Sequence, residues 1–217
     1  MYRRLIRGIV ERGQTGELLA AARVAFEHQD NRGIRARTAL WAAMTGPTNA
    51  VSIVMDFNTL EELERLNDLA TQDSQFAGIW ADVERHLLPG RTDASIHRLS
   101  YHSEGLISAE EATAPRRFLR LMTGEVLPGK GREFVLSLSE ALRYQSERGV
   151  DATTSVWSAL SGGTNGIAIA GEFDSMAELE RFDDLALQDA EFARFRRATR
   201  EAMAFLTTHV ELMRNVL

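Results

Sequence analysis

The stretch TGPTNAVSIVMDF at residues 45–57 returns as SGGTNGIAIAGEF at residues 161–173, an offset of 116. The offset reaches well beyond these thirteen positions. It sets Gly33 on Gly149, Trp41 on Trp157, Asn49 on Asn165 and Phe57 on Phe173, and about 21 of the 56 ungapped positions from Gly33 to Leu88 are identical. Two copies of one unit of about 100 residues therefore fill a chain of 217 residues, and any function has to be explained on a doubled scaffold.

Each copy reads in the order β-α-β-β-α-β. It opens on a short alternating stretch, RRLIRGIV at 3–10 and RRFLRLMT at 116–123, with the period of two of a half-buried strand. A Gly-containing turn leads to a helix with apolar residues at spacings of three and four, such as Leu18, Ala22 and Phe26, or Phe134, Leu138 and Leu142. Gly33 and Gly149 end these helices, where a left-handed residue is easiest for Gly. An extra residue in the second helix brings the offset before it to 115 or less, and on the first strands Arg7 and Arg120 are read as occupying equivalent places. Residues 35–43 and 49–57 then read as paired strands, as do 151–159 and 165–173. Asp73 and Asp189 are natural caps for a last helix, and strands at 95–101 and 209–216 complete each copy.

The expected fold class is α+β: two tandem ferredoxin-like units at 1–102 and 116–217, joined by a linker at 103–115. A four-stranded sheet with helices on one face leaves the other face bare. The two bare faces are expected to pack together as an intrachain α/β barrel, roughly wide enough for side chains or one small ligand.

Composition narrows the partners. A net charge of −6 argues against nucleic acid. No apolar run approaches a membrane span, and the charged opening MYRRLIRGIVERG is unlike a secretory signal, so a cytoplasmic location is expected. The absence of Cys removes thiolate sites, and no nucleotide, flavin or zinc motif occurs, so no cofactor and no metal are expected. The remaining partner is a small organic molecule in the barrel. A homo-oligomer of the tandem unit is left open.

Candidate residues come from the presumed inner faces. Alternation turns Arg37 and Trp41 inward, with Trp157 matching Trp41, and two indoles beside polar groups would line a substrate site or simply fill a core. Arg7 and Arg120, read as equivalent, could clamp a carboxylate or enolate. His97 is the candidate acid or base because imidazole titrates near neutrality, and Tyr101 points the same way. Asn49 and Asn165 read as bonding their own hairpins. Arg194, Arg196, Arg197 and Arg200 read as a solvated helix face. The copies diverge at Arg35 and Asp151, Arg37 and Thr153, His97 and Met213, and Met55 and Gly171, the last opening space in the second half.

The hairpin and the residues after it resemble the NIPSNAP family of the dimeric α/β-barrel superfamily. The resemblance rests on Gly46, Pro47, Asn49, Phe57, Arg65, Asp73 and Phe76, and on Gly162, Asn165, Phe173, Arg181, Asp189 and Phe192, with Gly163 replacing the Pro. The superfamily's haem-degrading members carry a strand-one Asn and a His four residues after the last-helix aromatic. Trp80 and Arg196 stand at those His positions, so the resemblance does not imply haem degradation here. It implies a small-molecule-binding barrel, with cofactor-independent oxygenation, cyclisation or isomerisation of an aromatic or polyketide-like substrate as one expectation. A non-catalytic binding or assembly protein and a haem-binding barrel are the alternatives.

Overall fold

The computed structural model describes residues 1–47, 49–103, 114–161, 165–204 and 208–217. Most of the expected linker and the turn residues Gly162 and Gly163 lie outside the described residues. The elements run β1 (Tyr2–Ile9), α1 (Thr15–Asn31), β2 (Arg37–Ala43), β3 (Ala50–Phe57), α2 (Leu60–Gln72), α3 (Ser74–Arg85) and β4 (Asp93–His102) in the first copy. The second has β5 (Phe118–Glu125), α4 (Gly131–Glu147), β6 (Thr153–Ala159), β7 (Gly166–Phe173), α5 (Met176–Gln188), α6 (Ala190–Glu201) and β8 (His209–Asn215). The strands hydrogen-bond in the order β1-β3-β2-β8-β5-β7-β6-β4, which closes on itself as an antiparallel barrel. No helix among the described residues is long and apolar enough to cross a membrane, and no group of three or more His, Asp or Glu among them is placed to hold a metal ion.

The chain divides into two compact units, built mainly from Met1–Ile96 and from Arg116–Met213. The second also takes the chain from His97 onward along β4, and the first takes Arg214–Leu217. In the second unit β4 pairs antiparallel with β6, placing His97 opposite Ala159 and Leu99 opposite Trp157, with an irregularity before Tyr101.

Local signals account for the element ends. Thr59 caps α2, accepting from the Glu62 N–H while the Glu62 carboxylate accepts from the Thr59 N–H. Asp73 accepts from the N–H groups of Gln75 and Phe76, and Asp189 does the same for Glu191 and Phe192. Gly33 and Gly149 adopt φ of 73° and 74° just past α1 and α4, where a Cβ would be strained. Asn49 departs from its expected role. Its amide donates to the Val10 carbonyl at 2.7 Å, tying the hairpin to the end of β1 instead of to its own backbone.

Strand register corrects the alignment of the copies. Tyr2 faces Phe57 on β3 and Phe118 faces Phe173 on β7, so the offset of 116 holds from the first strand. Helices α1 and α4 have 17 residues each, and no extra residue separates them. Arg120 is therefore the counterpart of Arg4, and Arg7 is the counterpart of Thr123.

The helices of each unit cover one sheet face. In the first unit the covered face forms one continuous apolar cluster, including Ile6, Leu18, Phe26, Leu40, Ile53, Met55, Phe57, Leu66, Phe76 and Val83, with Trp80 packed against it. In the second unit the corresponding buried residues fall into separate clusters. One lies around Phe134, Leu138, Ile169 and Met203, one around Phe118, Phe173 and Leu179, and one around Ala141, Tyr144, Phe192 and Phe195. An open space lies among these clusters.

Candidate functional site

The space is a cavity of about 350 Å³ inside the second unit, between α4, α5 and α6 and the covered face of β5, β6 and β7. Its floor follows from register. Arg120 and Thr154 are the direct cross-strand partners of Gly171, so the three form one row across the sheet on the helix side. The matching row in the first unit is Arg4, Met55 and Thr38. Met55 is 1% exposed and fills its row, whereas Gly171 puts no side chain in the second row and only the edge of the Phe173 ring reaches over it.

Further exchanges enlarge the space. Trp80, which stacks on Phe76 at 6.3 Å in the first unit, is replaced by Arg196, and Phe26 is replaced by Leu142. The walls are otherwise apolar: Met122, Leu138, Ala141, Ile169, Phe173, Phe182, Phe192 and Met203. Thr154, Thr199 and Gln145 supply the buried polar groups. Thr199 donates to the Phe195 carbonyl, while the Gln145 side-chain oxygen is buried with no hydrogen-bond donor on it.

Three arginines border the cavity. Arg120 and Arg196 are half-buried and Arg200 is exposed. The Arg120 guanidinium lies over the Phe182 ring, its Cζ 4.8 Å from the ring centroid. Burial holds it below its ordinary pKa, with Asp183 pulling upward and Arg200 pushing further down. Burial also lowers Arg196, followed by repulsion from Arg200 and Arg120, with Asp183 opposing. Arg196 donates to the Ala186 carbonyl at 3.2 Å. Among the described residues no carboxylate is within ion-pair distance of any of the three.

The residues singled out from sequence are distributed differently. Only Arg120 lines this cavity, because its true counterpart Arg4 faces the helices and not the opposite side. Arg7 and Trp41 flank Ser52 in a row on the face of the first sheet turned away from its helices, where the Arg7 Nε and the Ser52 hydroxyl are buried without a hydrogen-bond partner. Arg37 joins Arg3 on Asp56, which Arg3 grips with two bonds of 2.7 and 2.9 Å. Trp157, 1% exposed, donates to the Ser155 hydroxyl at 2.7 Å. His97 is buried on β4 and does not line the cavity, while Tyr101 borders a neighbouring groove. Arg196 and Arg200, read from sequence as part of a solvated face, are the residues missed. Comparing the copies at 116 exposes them, since they replace Trp80 and Glu84.

The chemistry of the lining bears on haem. Haem iron is ordinarily held by imidazole, thiolate or phenolate, and a Met thioether such as Met122 or Met203 could offer serves opposite a His. The chain has no Cys, and among the described residues no His or Tyr lines the cavity. The lining does not fit a haem.

No protein-family model and no curated protein matches the chain. Solved structures share its fold. A proposed monooxygenase from Fusobacterium nucleatum subsp. nucleatum superposes with a TM-score of 0.70 at 10% identity, over 100% of this chain and 92% of that one. An anthrone oxidase-like protein gives 0.64 at 12% identity, covering 100% and 91%. A haem-degrading enzyme from Listeria monocytogenes gives 0.52 at 9%, covering 99% of each. These likenesses establish the fold as the ferredoxin-like, dimeric α/β-barrel type.

Proposed function

We propose that the protein binds a small, largely aromatic molecule in the second unit and acts on it as a cofactor-independent enzyme of oxygenase, cyclase or isomerase type. The observation that carries this reading is the cavity itself: about 350 Å³ of apolar space where the first unit is solidly packed by Met55 and Trp80. Its size lies at the lower end of ligand pockets, and its few polar groups are of the kind that orient a guest. The kinship we favour within this fold is with the NIPSNAP proteins, on the turn and cap motif of Gly46, Pro47, Asn49, Asp73 and Phe76.

The oxygenase reading draws on the monooxygenase and anthrone oxidase names of the structural neighbours. In it the substrate ring system lies among Phe173, Phe182 and Phe192, away from bulk water. Arg120 stabilises negative charge developing on a substrate oxygen, and dioxygen from solution is the oxidant. Among the described residues the lining holds no carboxylate or imidazole, which favours a second reading, a binding protein without turnover.

Binding is tested with anthrone under anaerobic conditions, by equilibrium fluorescence with the wild type and with Gly171→Met. The expected result is one site per chain in the wild type and none in the variant. No binding to the wild type, or equal binding to both, would remove the cavity from the account. Oxygen uptake on admitting air then separates the two readings: uptake above the buffer rate supports the enzyme, and binding without uptake supports the second.

A further inference from the structure

Resting on that reading, we infer that the ligand is an organic anion, an apolar body carrying one carboxylate or ionised enol, held by Arg120, Arg196 and Arg200. The argument starts from the first unit, where the corresponding residues are Arg4, Trp80 and Glu84. There the single guanidinium donates to Asn67 at 3.1 Å, and Glu84 attracts it electrostatically. At these positions one Arg and one Glu cancel.

The second unit breaks that balance by three exchanges. Trp80 becomes Arg196, Glu84 becomes Arg200 and Asn67 becomes Asp183, so three cations face one exposed carboxylate and two positive charges remain. Like charges gathered at a partly dry cavity are unfavourable unless a counter-charge is supplied. Burial does not discharge them, because guanidinium stays protonated throughout the accessible pH range. Within the described chain, Asp183 offers attraction without a close pair. The counter-charge therefore belongs to a guest.

Geometry sets how the guest lies. Arg120 lies over the Phe182 ring, and Arg196 spends one donor on the Ala186 carbonyl, so both keep N–H groups for an oxyanion. Arg200 is exposed and Arg120 and Arg196 are half-buried, whereas Phe173, Phe192 and Ile169 are buried. The anionic group points to the arginines and the apolar body fills the space over Gly171. A neutral or cationic guest of the same shape would leave the cations unanswered.

The test uses the intact protein and three probes with one ring system: 2-naphthoate, 2-naphthylmethanol and 2-naphthylmethylamine, each titrated at low and at high salt. Naphthoate is expected to bind at least about tenfold tighter than the alcohol, with the amine weakest and the preference shrinking as salt rises. Arg200→Glu sits at an exposed position and installs the first unit's residue. It is expected to abolish the preference for the acid over the alcohol. Arg196→Gln should weaken naphthoate alone. Equal binding of acid and alcohol by the wild type would overturn the anion assignment and leave the cavity reading intact. Failure of all three probes would overturn both. A preference that survives in both Arg variants would place the anion elsewhere.

Discussion

Filling the cavity by restoring the first unit's residue is the most direct perturbation. In Gly171→Met the new Cβ would meet Phe173 Cε2 at 3.4 Å and Cζ at 3.6 Å, ordinary contacts, and the backbone carries no positive φ to penalise a side chain. Replacing Gly inside a strand gains about 0.5–1 kcal/mol from the unfolded chain's lost freedom. Burying a Met side chain adds about 1.5–3 kcal/mol. Fixing its rotamers costs about 1.5–2 kcal/mol. The net is a stabilisation of about 1 kcal/mol, which at a urea m of about 2 kcal/mol per M moves the midpoint up by about 0.5 M. The assay pairs urea denaturation of both proteins with naphthoate titration of the folded forms. Loss of binding together with an unchanged or raised midpoint is expected. A midpoint lowered by more than about 0.5 M with affinity retained would refute the reasoning, since it would show a row already filled.

Met55→Ala in the first unit is expected to do the opposite, costing about 2–5 kcal/mol because the surrounding cluster has no guest to fill the void; denaturation midpoints decide. Asp56→Ala removes the carboxylate from two arginines, Arg3 at 4% exposure among them, and should destabilise by about 3–5 kcal/mol in the same assay. Asp189 is held below the usual carboxylate range chiefly by the Phe192 N–H, with Tyr144 assisting. Its folded value is the lower one, so its stabilisation is complete above about pH 4 and is lost as pH falls through that folded value. Asp189→Asn keeps a capping oxygen but cannot ionise, so stability should fall less steeply below pH 4, and an unchanged slope would contradict the assignment.

The succession of helices and strands along the chain and the helix caps were legible because each depends on local residues. Asp73, Asp189, Gly33 and Gly149 act within a few positions of themselves. The side on which Arg120 lies was not legible. RRLIRGIV and RRFLRLMT align acceptably at 113 as well as at 116, and those registers differ by three. An odd slip in a strand moves every side chain to the other face. The misplaced alignment sent Arg120 away from the helices, and the cavity beneath them went unseen except through the volume missing at Gly171. Arg196 was obscured for a different reason. Four arginines within seven residues look like a solvated helix, and only packing against β5 and α5 shows that one of them reaches inward. His97 had no comparable context: its neutral-range chemistry made it a candidate, and strand pairing placed it beyond the cavity.

The pattern of divergence between the copies is more than lost packing. The frame of the site is retained: Arg4 and Arg120, Thr38 and Thr154, Phe57 and Phe173, Phe76 and Phe192 occupy matching places. Inside that frame, Met55 to Gly171 and Trp80 to Arg196 open space, while Glu84 to Arg200 turns the charge of the border from balanced to positive. Erosion of a core would create volume without regard to sign, and a charge reversal at an exposed position would not need a void beside it. The two occur at adjoining positions in one unit, while the other keeps a continuous apolar core. On the proposed reading this conjunction is a division of labour: the first unit keeps a continuous apolar core, and the second keeps an under-packed, positively bordered chamber for a guest to complete.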